Sequence, residues 1–145
     1  MNRSRSHRWL AWKRLPPFVP VPIRTRADGW TPTRQAAFIG FLAETGSVAE
    51  AAARVGCSRA SAYKLRTLPG AESFADAWNV ACGKVTPPRK LTFAELKVTA
   101  IDGPIQVRLY GGRYCGLTRK PSDSALLSLI AATHRAALSA GMRLK

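Results

Sequence analysis

Apolar residues recur at helical spacing through the middle of the chain and switch to strict alternation once, near its end. Ala37, Phe38, Phe41 and Leu42 form the first helical stripe. Thr31-Pro32 ahead of it reads as an N-cap with proline at the first helical position, and Gly46 as its stop. Ser47-Val48-Ala49-Glu50 has capping-box form and predicts a short Ala-rich helix to Val55. Gly56-Cys57 turns the chain, Ser58 caps again, and Arg59 to about Leu68 is a third helix. Beyond Pro69-Gly70, Phe74, Trp78 and Ala81 lie on one stripe of a fourth. Thr92-Phe93-Ala94-Glu95 is a second capping box, opening a helix to about Ala100 that Asp102-Gly103-Pro104 stops. Ile105, Val107 and Leu109 then alternate with Gln106, Arg108 and Tyr110 ahead of Gly111-Gly112, a two-residue hairpin turn. That register pairs Leu109 with Tyr114 and Ile105 with Thr118, and leaves Arg108 and Arg113 on the opposite face. Pro121-Ser122-Asp123 opens a last helix with Leu126, Leu127, Ile130, Ala137 and Leu138 as its apolar stripe.

The expected fold is therefore mainly α: a three-helix core with a supporting helix, then a helix, a β-hairpin and a C-terminal helix. Residues 1–27 read as a basic, Pro-rich, flexible arm of extended character. Residues 28–83 read as the helical domain and 84–91, with Pro87-Pro88, as a basic linker. Residues 92–145 read as a structural or oligomer-forming segment.

Two short helices joined by a tight turn between about Ser47 and Thr67 meet the demands of a helix-turn-helix. The crossing needs a small residue in the first helix, supplied by Ala52, and a turn residue free to adopt positive φ, supplied by Gly56. Val55 and Cys57 are expected to flank the turn inward, with Ala62 and Leu65 as the inner face of the second helix. Ser58, Arg59, Ala60, Tyr63, Lys64 and Thr67 are then left outward, with Arg66 at the edge.

Charge sharpens this picture. The chain of 145 residues carries 23 Lys+Arg against 8 Asp+Glu, a formal +15, and such a surplus attracts polyanions. The surplus lies at the two ends: Arg3, Arg5, Arg8, Lys13, Arg14, Arg24 and Arg26 precede residue 28 with no acid among them. Residues 28–83 are balanced, yet Ser58 to Thr67 holds Arg59, Lys64, Arg66 and no acid. A helix offering Arg, Lys, Ser and Tyr suits phosphates and major-groove base edges, so duplex DNA is the expected partner. A plain Ala-rich hairpin with a solvated basic face is the competing reading. The seven arm cations are candidate DNA contacts, beside the readings of an inert basic tail and of membrane-surface binding through Trp9 and Trp12. The hairpin is either a DNA-contacting wing or a structural, oligomer-forming element.

Trp30-Thr31-Pro32, Gln35-Ala36-Ala37-Phe38, Leu42 to Val48, Ala52, Val55 to Ser58, Tyr63 and Phe74 with Trp78 resemble the helix-turn-helix part of phage terminase small subunits. Asp102-Gly103, Tyr110-Gly111-Gly112, Asp123 and the Leu-rich helix resemble the tail of such proteins, so the resemblance spans about Trp30 to Leu138. It implies DNA recognition without catalysis, in a homo-oligomer, with a large terminase subunit as a further partner. A transcriptional regulator and a basic structural or RNA-associated adaptor are the alternative roles.

Other chemistry finds little support. His7 and His134 are the only histidines, and no Cys/His spacing fits a metal, so neither cofactor nor metal is expected. Gly83-Lys84-Val85 lacks the upstream glycine and the following Ser/Thr of a phosphate loop. Eight scattered carboxylates form no acid/base pair, and no enzyme is expected. Cys57 and Cys115 read as small core residues, and three well-separated cysteines fit a reducing cytoplasm, nucleoid-associated in a bacterium. No run of about 18 apolar residues exists to span a bilayer. The stretch Leu15 to Ile23 is too short and Pro-broken for a signal-peptide core.

Overall fold

The computed structural model describes residues 15–24, 29–84 and 90–141. Among these are six helices and one hairpin, in the order α1 (Pro32–Thr45), α2 (Val48–Arg54), α3 (Arg59–Arg66), α4 (Glu72–Ala81), α5 (Phe93–Ile101), β1 (Ile105–Tyr110), β2 (Arg113–Arg119) and α6 (Asp123–Ser139). The mainly helical layout matches the expectation. Among the described residues no helix is long and apolar enough to cross a membrane. The described residues divide into two compact units: 15–84 with 105–118, and 90–104 with 119–141.

In the first unit, helix limits follow from local chemistry. The Thr31 hydroxyl accepts from the Arg34 N–H and Pro32 begins α1. Gly46 ends it at φ 75°, a left-handed conformation that favours glycine, and donates its N–H to Leu42 O. Ser47 and Ser58 cap α2 and α3 by accepting from Glu50 N and Ser61 N. The capping box expected at Ser47 is only half made. The Ser47 N–H is taken by the Thr45 hydroxyl at 3.2 Å, and the Glu50 carboxylate turns to Arg54 at 3.0 Å. Phe38 is the hub of the core: its ring lies 5.3 Å from Trp30, 4.9 Å from Trp78 and 6.1 Å from Phe74.

The expectation of one flexible arm over residues 1–27 is corrected for its described part. Leu15, Phe18, Val19 and Val21 are buried, and Phe18 meets Phe74 edge-on at 5.7 Å. Phe18 also exchanges both backbone hydrogen bonds with Ile105, at 3.0 and 2.8 Å. The Val19 N–H donates to Ser73 Oγ at 2.9 Å and the Val21 N–H to Gln35 Oε1 at 2.7 Å. Fully buried Gln35 returns its Nε2 to Val21 O and Trp30 O. The physical reason lies in the prolines. Pro16, Pro17, Pro20 and Pro22 forbid a helix and bring no N–H needing a partner, while Phe18, Val19 and Val21 each find one. Arg24 is exposed beyond this segment. Arg3, Arg5, Arg8, Lys13, Arg14 and Arg26 lie outside the described residues, as does most of the expected linker.

The hairpin belongs to this same unit, not to the C-terminal segment in which the sequence placed it. Gly111 and Gly112 take φ 60° and 83°, as its two-residue turn requires. One face of the hairpin carries buried Ile105 and Val107 with half-buried Leu109 and Tyr114. Tyr114 lies over Gly40, where a Cβ would collide with its ring, and 5.1 Å from the Phe41 ring. The single apolar face expected of the hairpin does not extend to its end: Leu117 packs against the core, whereas Thr118, expected on that face opposite Ile105, is exposed.

In the second unit, Thr92 and Glu95 complete the expected capping box, at 2.8 and 3.2 Å. Ser122 caps α6 and its N–H donates to Thr99 O, tying the start of α6 to α5. Of the α6 residues only Ala125 is buried. Leu126, Leu127, Ile130 and Leu138 are 43–68% exposed, so the apolar stripe of α6 is largely uncovered.

Candidate nucleic-acid interface

The turn between α2 and α3 is built as the sequence requires. Gly56 sits at φ 75°, its N–H donates to Ala53 O at 3.1 Å, and the Cys57 N–H donates to Ala52 O at 2.9 Å. Ala52 is 1% exposed at the crossing, and Val55 is buried beside it. Ala62 and Leu65 are buried beneath α3, at 0% and 2% exposure. The first turn of α3 is also fastened from α1's side: the Trp30 indole N–H donates to Ser61 Oγ at 3.2 Å, and Ser61 Oγ donates to Ser58 O at 2.7 Å. Two buried inner residues and this hydroxyl tie fix which face of α3 looks outward.

Ser58, Arg59, Ala60, Tyr63, Lys64 and Thr67 are all exposed on that face, with Arg66 half-buried at its edge. The structure thus brings together all seven residues singled out on this helix. They are not equivalent. The Arg59 guanidinium lies 5.9 Å from the Tyr63 ring centre, Tyr63 lies 5.2 Å from Trp78, and the Arg66 guanidinium lies 4.7 Å over Trp78. Arg66 also donates Nη2 to Asn79 Oδ1 at 3.2 Å. Two cations, three if Lys64 one turn from Arg59 is included, therefore project from a surface stiffened by aromatic contacts. The Ser58 hydroxyl accepts from Ser61 N and the Thr67 hydroxyl donates to Lys64 O, so both also serve the helix ends.

Sequence reasoning missed Trp78 and Asn79. Trp78 falls in the apolar stripe and is buried, but its ring also contacts Arg66 and Tyr63. The available signal was spacing. Arg66 ends α3 and Trp78-Asn79 falls in the last half of the next helix, which a tight α3–α4 connection returns alongside.

At Arg54, by contrast, charge is already neutralised. Arg54 bridges Glu44 at 3.1 Å and Glu50 at 3.0 Å and lies 5.2 Å over Phe41. The hydrogen bond that Arg54 donates to Glu44, with both carboxylates' charge, raises the Arg54 pKa above its ordinary value. Such a cation is less free to meet phosphate than Arg59 or Lys64. Of the cysteines, Cys57 is half-buried as expected, whereas Cys115 is exposed because it falls on the hairpin's outer face. No family model, no curated protein and no solved structure matches the chain.

Proposed function

We propose that the protein binds duplex DNA through the outward face of α3, without catalysis. One observation carries the reading: Arg59 and Lys64 stand exposed on the outward face of an acid-free helix, with Arg66 at its edge, held over a tight Gly56 turn by buried Ala62 and Leu65. A helix so mounted suits insertion into a major groove, with its first turn nearest the base edges. Arg59 is then the residue for base readout, its guanidinium able to meet guanine O6 and N7 together. Lys64, a point charge on a flexible stem, suits phosphate. The role we favour is that of a terminase-small-subunit-like recognition factor, as the resemblance of residues 30–138 implies. A transcriptional regulator would use the same face. The uncovered leucines of α6 support assembly with further copies of the chain, and a large terminase subunit is the further partner that the favoured role carries.

The experiment is a fluorescence-anisotropy titration of the full chain with a selected duplex, a random duplex and an RNA hairpin, at several salt concentrations. Binding to duplex should weaken linearly on log–log axes, with a slope of about −0.9 per phosphate neutralised. Failure to bind duplex at low salt, or equal preference for RNA, contradicts the proposal.

A further inference from the structure

The hairpin carries charge that neither the core nor α3 explains. Its inner face is occupied by Ile105, Val107, Leu109, Tyr114 and Leu117. Its outer face holds Arg108, Tyr110, Arg113, Cys115 and Thr118, every one exposed and none acidic. Strand-edge protection accounts for charges at such positions. It does not account for Tyr110, which is 83% exposed at the last position of β1. Tyr110 and Arg113 flank the Gly111-Gly112 turn, and two glycines leave no side chain beyond them, so the tip is narrow.

The hairpin is also fastened to the elements that carry α3. The Tyr114 N–H donates to Glu44 Oε2 at 3.1 Å, while Glu44 Oε1 holds Arg54 of α2. Tyr114 packs on Phe41 and over Gly40 of α1. Glu44, the carboxylate bound to the hairpin backbone, is therefore already engaged. Although the hairpin is far from α3 in sequence, the two belong to one compact unit.

We infer that Arg108, Tyr110 and Arg113 form a second contact surface for duplex DNA, directed at its sugar-phosphate backbone. The inference rests on the proposed role of α3 and extends it. Two guanidiniums with no ion pair among the described residues fit phosphate oxygens, and the exposed Tyr110 phenol on the same strand face can pack on a sugar and donate to a phosphate. Such contacts add affinity and orientation without reading sequence.

The test uses the full chain with Arg108→Ala/Arg113→Ala, Arg108→Lys/Arg113→Lys, Tyr110→Ala and, separately, Arg59→Ala/Lys64→Ala. All are exposed positions, and circular dichroism checks each fold. Affinity for one selected and one random duplex is measured across salt. The hairpin Ala pair should flatten the salt slope by about 1.8 and weaken both duplexes by the same factor. The Lys pair should retain most of the slope, and Tyr110→Ala should weaken both duplexes several-fold. An unchanged slope in the hairpin Ala pair overturns the inference, and if the α3 pair still weakens binding, the α3 reading stands alone. If only the hairpin variants weaken binding, the hairpin contact is upheld and the α3 reading falls. A wild-type chain that ignores duplex DNA overturns both.

Discussion

Substituting Phe18 by alanine should destabilise the first unit far more than a change in a flexible arm would. Phe18 is 1% exposed, meets Phe74 edge-on at 5.7 Å, and pairs its backbone with Ile105. Emptying a buried phenylalanine site costs about 3–5 kcal/mol, against a total stability of roughly 5–15 kcal/mol for a domain. The segment cannot simply peel away to escape that loss. Its release would cost fully buried Gln35 its bonds to both the N–H and the C=O of Val21 and leave its Oε1 without that donor. Each buried polar group left unpaired costs about 1–3 kcal/mol more. Urea unfolding followed by tryptophan fluorescence reads the effect, since Trp30 and Trp78 both pack on Phe38. With a slope of about 2 kcal/mol per molar, the midpoint should fall by about 2 M. Pro17→Ala, at an exposed position of the same segment, should leave it in place. A Phe18→Ala midpoint within about 0.3 M of wild type, equivalent to well under 1 kcal/mol, would refute the docked segment.

Three further outcomes are expected. Gly40→Ala should cost about 1–3 kcal/mol, because the new methyl meets the Tyr114 ring; hydrogen exchange at the Tyr114 N–H should quicken, and unaltered exchange would deny that contact. Burial, helped by the charge of Cys115, raises the Tyr114 phenol above its ordinary 10.0. The folded state thus keeps that proton after the unfolded chain has released it. The contribution is whole below the unfolded value and lost as pH rises through the folded one. Urea midpoints taken upward from about pH 9 should fall less steeply in Tyr114→Phe, and parallel curves would remove the phenol from the account. Finally, light scattering should report a dimer or larger assembly that Leu127→Glu dissociates, since Leu127 is 68% exposed on α6; a monomeric wild type at tens of micromolar would leave that face without a second copy.

How much of this was legible depended on how local the determining physics was. Thr31-Pro32, Ser58, Gly46, Gly56 and Gly111-Gly112 each act within a few residues, and each marks a boundary that the structure has. The outward face of α3 was legible for the same reason: burying Ala62 and Leu65 determines what remains outside. The docking of residues 15–24 was not legible. Its partners, Ile105 and Ser73, are distant in sequence, and a Pro-rich extended stretch has the same pattern whether or not a surface covers it. Glu50 shows a different limit. Its spacing from Ser47 was right for a capping box, but Thr45 competed for the Ser47 N–H and Arg54 for the carboxylate. In β2 the alternation of inner and outer positions breaks, with Leu117 rather than Thr118 against the core, which simple alternation does not anticipate. The stacking of Arg66 on Trp78 was hidden because a buried tryptophan in an apolar stripe already has an explanation.

The central claim is that α3 reads duplex DNA, and the pattern of loss across two duplexes tests it most directly. Arg59→Ala, Lys64→Ala and Glu50→Ala would be titrated against one selected site and one random duplex, with each fold checked by circular dichroism. Arg59→Ala should cost about 1–3 kcal/mol on the selected site and relax preference at one base position. Lys64→Ala should weaken both duplexes about equally, and Glu50→Ala should leave both intact. If Arg59→Ala and Lys64→Ala bind both duplexes as wild type does while remaining folded, α3 is a scaffold and the account is wrong.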